Sequence, residues 1–92
     1  MTATIKVHAL SRGGFFASAE LPERKVCVSD GGGECSEERA AQKCALRVVG
    51  ITAYLTDCDD FWTIANRSGI VLKHVQSSLD EEIYSLEYAD NP

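Results

Sequence analysis

From Ser36 onward the chain carries its longest run of helical periodicity, and that run constrains everything around it. Ala40, Cys44, Val48, Ile51 and Leu55 recur at steps of four, four, three and four, with Ala41, Ala45 and Thr52 beside them. These steps fall on one face of an α-helix. Ser36 suits the N-cap, because its hydroxyl can accept from an orphan backbone N–H. Glu37 and Glu38 then place anions where the helix dipole favours them. Gly50 interrupts the stripe, at about 1 kcal/mol relative to alanine. Either the helix breaks there or a neighbour comes close. A stripe so rich in small residues packs most simply on a sheet, and the flanking segments supply the strands.

Residues 3–10 alternate, with Ile5, Val7 and Ala9 on one side and Lys6 and His8 on the other. That is the pattern of a half-buried strand. Residues 11–14 (SRGG) form a turn, and 15–21 return as the second strand until Pro22, which has no N–H to donate. Residues 25–28 make a short third strand, and 30–33 (DGGG) a loop into the helix. Further on, 61–65 and 69–75 flank the turn 66–69 and read as a second hairpin; a short helix from Asp60 to Asn66, closed by Gly69, is the alternative. Over 77–88, Ser78 and Glu81 have capping-box spacing, and Leu79, Ile83 and Leu86 follow at steps of four and three. A short C-terminal helix is predicted, with an alternating strand over 83–88 as the alternative. The expected fold class is α+β: one antiparallel sheet of about three to five strands, packed by one long helix, with a short C-terminal helix, all in one domain spanning 1–92.

Ninety-two residues bury only about 60–65% of their unfolded surface, which leaves no room for a deep pocket beside the core. No apolar run approaches the roughly 18 residues of a membrane span, and no apolar leader region follows Lys6 and His8. A soluble intracellular protein is expected, with no membrane partner. Cys27, Cys35, Cys44 and Cys58 show no C-x-x-C spacing. They are expected as free, mostly buried thiols, ahead of a zinc site or disulfides.

The net charge of −5 is unevenly placed: nine Lys/Arg and nine Asp/Glu up to His74 cancel, and Asp80, Glu81, Glu82, Glu87 and Asp90 carry the excess. The chain therefore lacks the long-range basic field of an autonomous nucleic-acid binder. One local basic feature remains. Arg39, Lys43 and Arg47 stand at i, i+4 and i+8 and form a ridge, suited to a phosphate chain or an acidic groove, or simply to solvent. Arg12, Arg24 and Lys25 are further exposed cations. The acidic tail, interleaved with Tyr84 and Tyr88, has the make-up to enter a basic groove or to act as a solubilising end. Catalytic patterns are weak. His8 and His74 lie on polar strand positions with no cysteine placed near them. The acidic run 57–60 lacks a calcium-loop ladder, and 30–33 lacks the lysine of a phosphate-binding loop. Neither an enzyme nor a metal or other cofactor is expected.

Two resemblances add to this reading. From Val26 to Val48 the strand, the glycine run, Ser36, Ala40, Cys44, Ala45 and Leu46 resemble part of a double-stranded-RNA-binding domain. Those domains open with a helix and follow the serine with lysines. Here a hairpin comes first and Glu37 and Glu38 follow, so carboxylates stand where phosphate would be clamped, and binding to duplex RNA alone is not expected. The whole chain, from MTATIKVHAL through SSLDEEIYSLEYADNP, with its length and acidic balance, resembles the small phage-encoded anti-CRISPR proteins that act on the type I-F surveillance complex. That resemblance implies a stoichiometric inhibitor in the host bacterial cytoplasm, with no cofactor and no small-molecule substrate. It implies binding to the guide-RNA-loaded complex, Cas proteins and guide RNA together, so that target DNA cannot hybridise or dock. No motif defines the group, so no residue is carried across from it. The candidates for RNA or partner contact are Arg39, Lys43, Arg47, Arg12, Arg24 and Lys25, and those for a basic partner groove are Asp80, Glu81, Glu82 and Glu87. The competing classes are a phage structural or regulatory adaptor pairing through a sheet edge and a degenerate RNA-binding module.

Overall fold

A computed structural model describes residues 1–30, 36–53 and 58–89. The loop glycines 31–33, together with Cys35, Leu55 and Asp90, lie outside the described residues, as does the side chain of Cys58. The elements in chain order are β1 (Thr2–Ala9), β2 (Phe15–Glu20), β3 (Lys25–Asp30), α1 (Glu37–Val48), α2 (Cys58–Ser68), β4 (Val71–Ser77) and β5 (Glu82–Glu87). The five strands form one antiparallel sheet in the order β3-β2-β1-β5-β4. A three-strand meander and a hairpin thus meet at β1 and β5. The class is α+β, with two helices among the described residues.

Alternation sets which face is covered. Ile5 stands opposite Ala19 and Tyr84, and Val7 opposite Ala17. These side chains join Val26, Val28, Leu72 and Leu86 in a single core with α1 and with Phe61 and Ala65 of α2. Alanines at 40, 41 and 45 let α1 lie close on this face. The opposite face, with Thr4, Lys6 and Lys25, meets solvent, as one side of an antiparallel sheet commonly does.

The turns follow local chemistry. Gly13 (φ 94°) and Gly14 (φ 81°) close the β1–β2 connection, where Gly13 N–H donates to the Leu10 carbonyl at 3.0 Å. Ser36 caps α1, its Oγ accepting from Arg39 N–H at 3.1 Å.

Three expectations are corrected. Of the two readings of Gly50, the helix break holds, and α1 stops at Val48 instead of running on to Ile51. Gly50 adopts φ 80°, its N–H reaches the Arg47 carbonyl at 3.1 Å, and the Ile51 N–H reaches Leu46 at 2.9 Å. This is a Schellman ending, in which a left-handed glycine lets the chain satisfy its last carbonyls. Ile51 continues the apolar pattern because it follows that ending, half-buried against the core. The hairpin expected over 61–75 is replaced by α2, an 11-residue helix. Phe61 and Ala65 are buried while Trp62 and Thr63 are exposed; a strand would put Thr63 on the same face as Phe61 and Ala65, and a helix does not. The apparent turn before Gly69 is a helix stop: Gly69 has φ 67°, and Ile70 N–H reaches the Ala65 carbonyl at 3.0 Å.

The predicted C-terminal helix is strand β5. The Ser78–Glu81 spacing that resembled a capping box closes a turn instead, with Ser78 N–H and Ser78 Oγ both donating to the Glu81 carbonyl at 3.0 Å. Ladders from β1 and β4 on its two sides satisfy the backbone of β5, which outweighs a weak local helical preference.

Candidate functional site

Of the cations singled out from the sequence, Arg24 and Arg47 lie where α1 ends against β3, and the others are spread along α1, β3 and the β1–β2 turn. Arg39 and Arg47 stand about 12 Å apart along α1, at about 1.5 Å rise per residue, with Lys43 between them. Arg39 and Lys43 are half-buried and Arg47 is exposed. Each is engaged within the fold: Arg47 Nη1 donates to the Cys27 carbonyl on outermost strand β3 at 3.2 Å, and Arg39 and Lys43 have polar or electrostatic contacts of their own. Arg24 Nη2 donates to the Val48 carbonyl at 2.8 Å, a cation on the negative end of α1. Lys25 opens β3 opposite Glu20. Arg12 stands apart, exposed in the β1–β2 turn.

Beside the ridge lies a groove of about 480 Å³, lined by Lys43, Arg47, Val28, Leu46, Ile51 and Thr52. Cations at the rim and aliphatic carbons on the floor suit a segment carrying both phosphate and apolar surface. A second groove, about 560 Å³, lies between Arg24, Leu21, Val48, Ile51 and Tyr88.

The acidic candidates are only partly brought together. Asp80, Glu81 and Glu82 share the β4–β5 turn and the start of β5. Glu87 ends that strand about 17 Å away, at about 3.4 Å per residue. It also stands at odd spacing from Glu82, so the two carboxylates point to opposite faces.

The histidines hold this turn, which was not anticipated. His8 Nδ1 lies 3.2 Å from the Asp80 carbonyl, and His8 Nε2 lies 3.5 Å from Glu81 Oε2. Ser77 Oγ donates to Glu82 Oε1 at 2.7 Å, and His74 Nε2 bonds Glu82 Oε2. The Ser77 hydrogen bond, then that from His74, hold the Glu82 carboxyl below its ordinary value. The His74 ring packs 5.0 Å from that of Tyr84. Burial raises the Tyr84 phenol, with Glu37, Glu38 and Glu82 adding to it. Sequence reading paired neither histidine, because the His8 contacts span more than 70 residues and exist only once β1 lies beside β5.

Of the cysteines, Cys27 is exposed and Cys44 buried, both free. The exposed Cys27 corrects the expectation of mostly buried thiols at one of the two described positions: it alternates with buried Val26 and Val28 on an edge strand whose other face is open. Burial, with a smaller push from Cys27 against the pull of Arg47, raises the Cys44 thiol to about 12, so it stays neutral. Among the described residues, no three His, Cys, Asp or Glu side chains converge as metal ligands, and no helix is long and apolar enough to cross a membrane. No family model, curated protein or solved structure matches the chain.

Proposed function

We propose that the protein is a stoichiometric binding protein of the anti-CRISPR kind, which docks on the guide-RNA-loaded type I-F surveillance complex in the host bacterial cytoplasm and keeps target DNA from hybridising or binding. The observation that carries this reading is the separation of charge across one rigid sheet. The cationic groove lies at the β3 edge and the acidic turn at the β4–β5 side. Three to four strand spacings put them about 15–19 Å apart. That exceeds the Debye length of about 8 Å at physiological salt, so the two signs do not cancel each other at a partner's surface. A partner that presents exposed RNA phosphates beside a basic protein surface complements both regions at once.

The edge-pairing adaptor fits less well. Arg47 already occupies a carbonyl of outermost strand β3, and the opposite edge strand, β4, carries Lys73 and a bulge between His74 and Gln76. Both are devices that discourage strand addition.

Binding of the purified chain to the purified type I-F complex, with and without its guide RNA, tests the reading. Charge reversal at Arg39, Lys43 and Arg47 is expected to weaken binding at least about tenfold. Single reversal of Arg47, read alongside the melting temperature, separates lost docking from the lost bond to Cys27. A triple variant that binds as well as the parent would show that the ridge is solvated surface.

A further inference from the structure

The β4–β5 turn is held from several directions, and none of these contacts covers its tip. Ser78 closes on the Glu81 carbonyl through both backbone and side chain. His8 reaches over from β1 to the Asp80 carbonyl and the Glu81 carboxylate, and Ser77 and His74 fix Glu82. On this frame Leu79 is fully exposed, next to exposed Asp80. The same hairpin exposes Val75, which has no partner residue on β5, and Val71. Thus three of the six large apolar side chains exposed among the described residues sit on one hairpin. A lone exposed leucine on a loose loop would need no explanation. This one is presented on backbone whose freedom is already spent, the condition under which an apolar side chain adds most to binding.

We infer that Leu79 is a docking anchor that enters an apolar pocket on a protein subunit, with Asp80 and Glu81 pairing to lysine or arginine at the rim. This rests on the reading above and assigns the protein-facing side of the same docking, leaving the cationic groove to RNA. A protein is the fitting occupant, because carboxylates around the leucine would repel a phosphate chain. Cationic rims around apolar pockets complement this tip in both charge and polarity.

The test compares the parent with Leu79→Asp, Leu79→Met and Asp80→Lys, measuring affinity and dissociation rate on the purified type I-F complex, melting temperature, and mass in solution. Leu79→Asp is expected to lose at least about tenfold in affinity, mostly through faster dissociation. Leu79→Met should stay within about threefold, since volume and polarity are kept. Asp80→Lys should bind more weakly, with the difference from parent shrinking as salt rises. All three should melt with the parent. Parent binding matched by Leu79→Asp would overturn this inference alone. Failure of the parent itself to bind would overturn the functional reading, and this one with it. Weaker binding accompanied by a lower melting temperature would make Leu79 a structural residue and also overturn it. So would a parent dimer that Leu79→Asp dissolves, because the pocket would then belong to a second copy of this chain.

Discussion

Gln42 is the polar residue that the core accommodates least well. It is fully buried on α1, its Nε2 donates to Glu38 Oε1 at 3.3 Å, and its Oε1 has no partner. A buried amide with one half unpaired keeps part of its desolvation cost, about 1–3 kcal/mol. Gln42→Met retains the length of the side chain and removes both polar atoms, while exposed Glu38 keeps its water. Chemical denaturation should find the variant more stable by about 1 kcal/mol; equal or lower stability would show that the amide is satisfied. Cys44, two residues further along the same helix, contrasts with it: a thiol held neutral behaves as a small apolar group, and burying it leaves no unpaired charge.

At the scale of elements, the β4–β5 hairpin is set by carboxylate chemistry. Glu82 has a carboxyl held below its ordinary 4.5 in the folded state by Ser77 and then His74. A depressed folded pKa means that the unfolded chain takes up the proton first as acid is added. The stabilisation is therefore whole above 4.5 and drains away as pH falls from there through the lowered folded value. Thermal melts taken from about pH 6 down to about pH 3 should show a smaller acid-induced loss in Glu82→Gln than in the parent, with the two curves converging at the acid end. Parallel curves would mean that the carboxylate gains nothing on folding. The helices show the same dependence on particular groups. α1 stops where Gly50 turns left-handed, and Arg24 then covers the Val48 carbonyl left open there.

For the molecule as a whole, one core joins both helices to the sheet, and Phe61 is among its largest fully buried side chains. Phe61→Ala should cost about 3–5 kcal/mol, a large share of the roughly 5–10 kcal/mol typical of a small domain. The loss should appear as one shifted transition, with circular dichroism and Trp62 fluorescence moving together; two separated transitions would mean that α2 melts apart from the sheet. The meander, the start of α1 and its ridge were legible in the sequence, because alternation, a capping serine and glycine-bearing turns act over a few neighbouring residues. The short elements near the C-terminus were not. The apolar positions of 61–65 suit a helix or a strand, and those of 79–88 suit either as well, until a partner chooses between them. For β5 that partner is β1, some eighty residues earlier, and the same pairing brings His8 to Glu81 and presents Leu79. Local sequence thus determined the elements whose signals lie within a turn or two. Tertiary structure alone decided which ambiguous segments became strands and which charges came to lie together, because backbone pairing and burial are satisfied only between parts of the chain that its order keeps far apart.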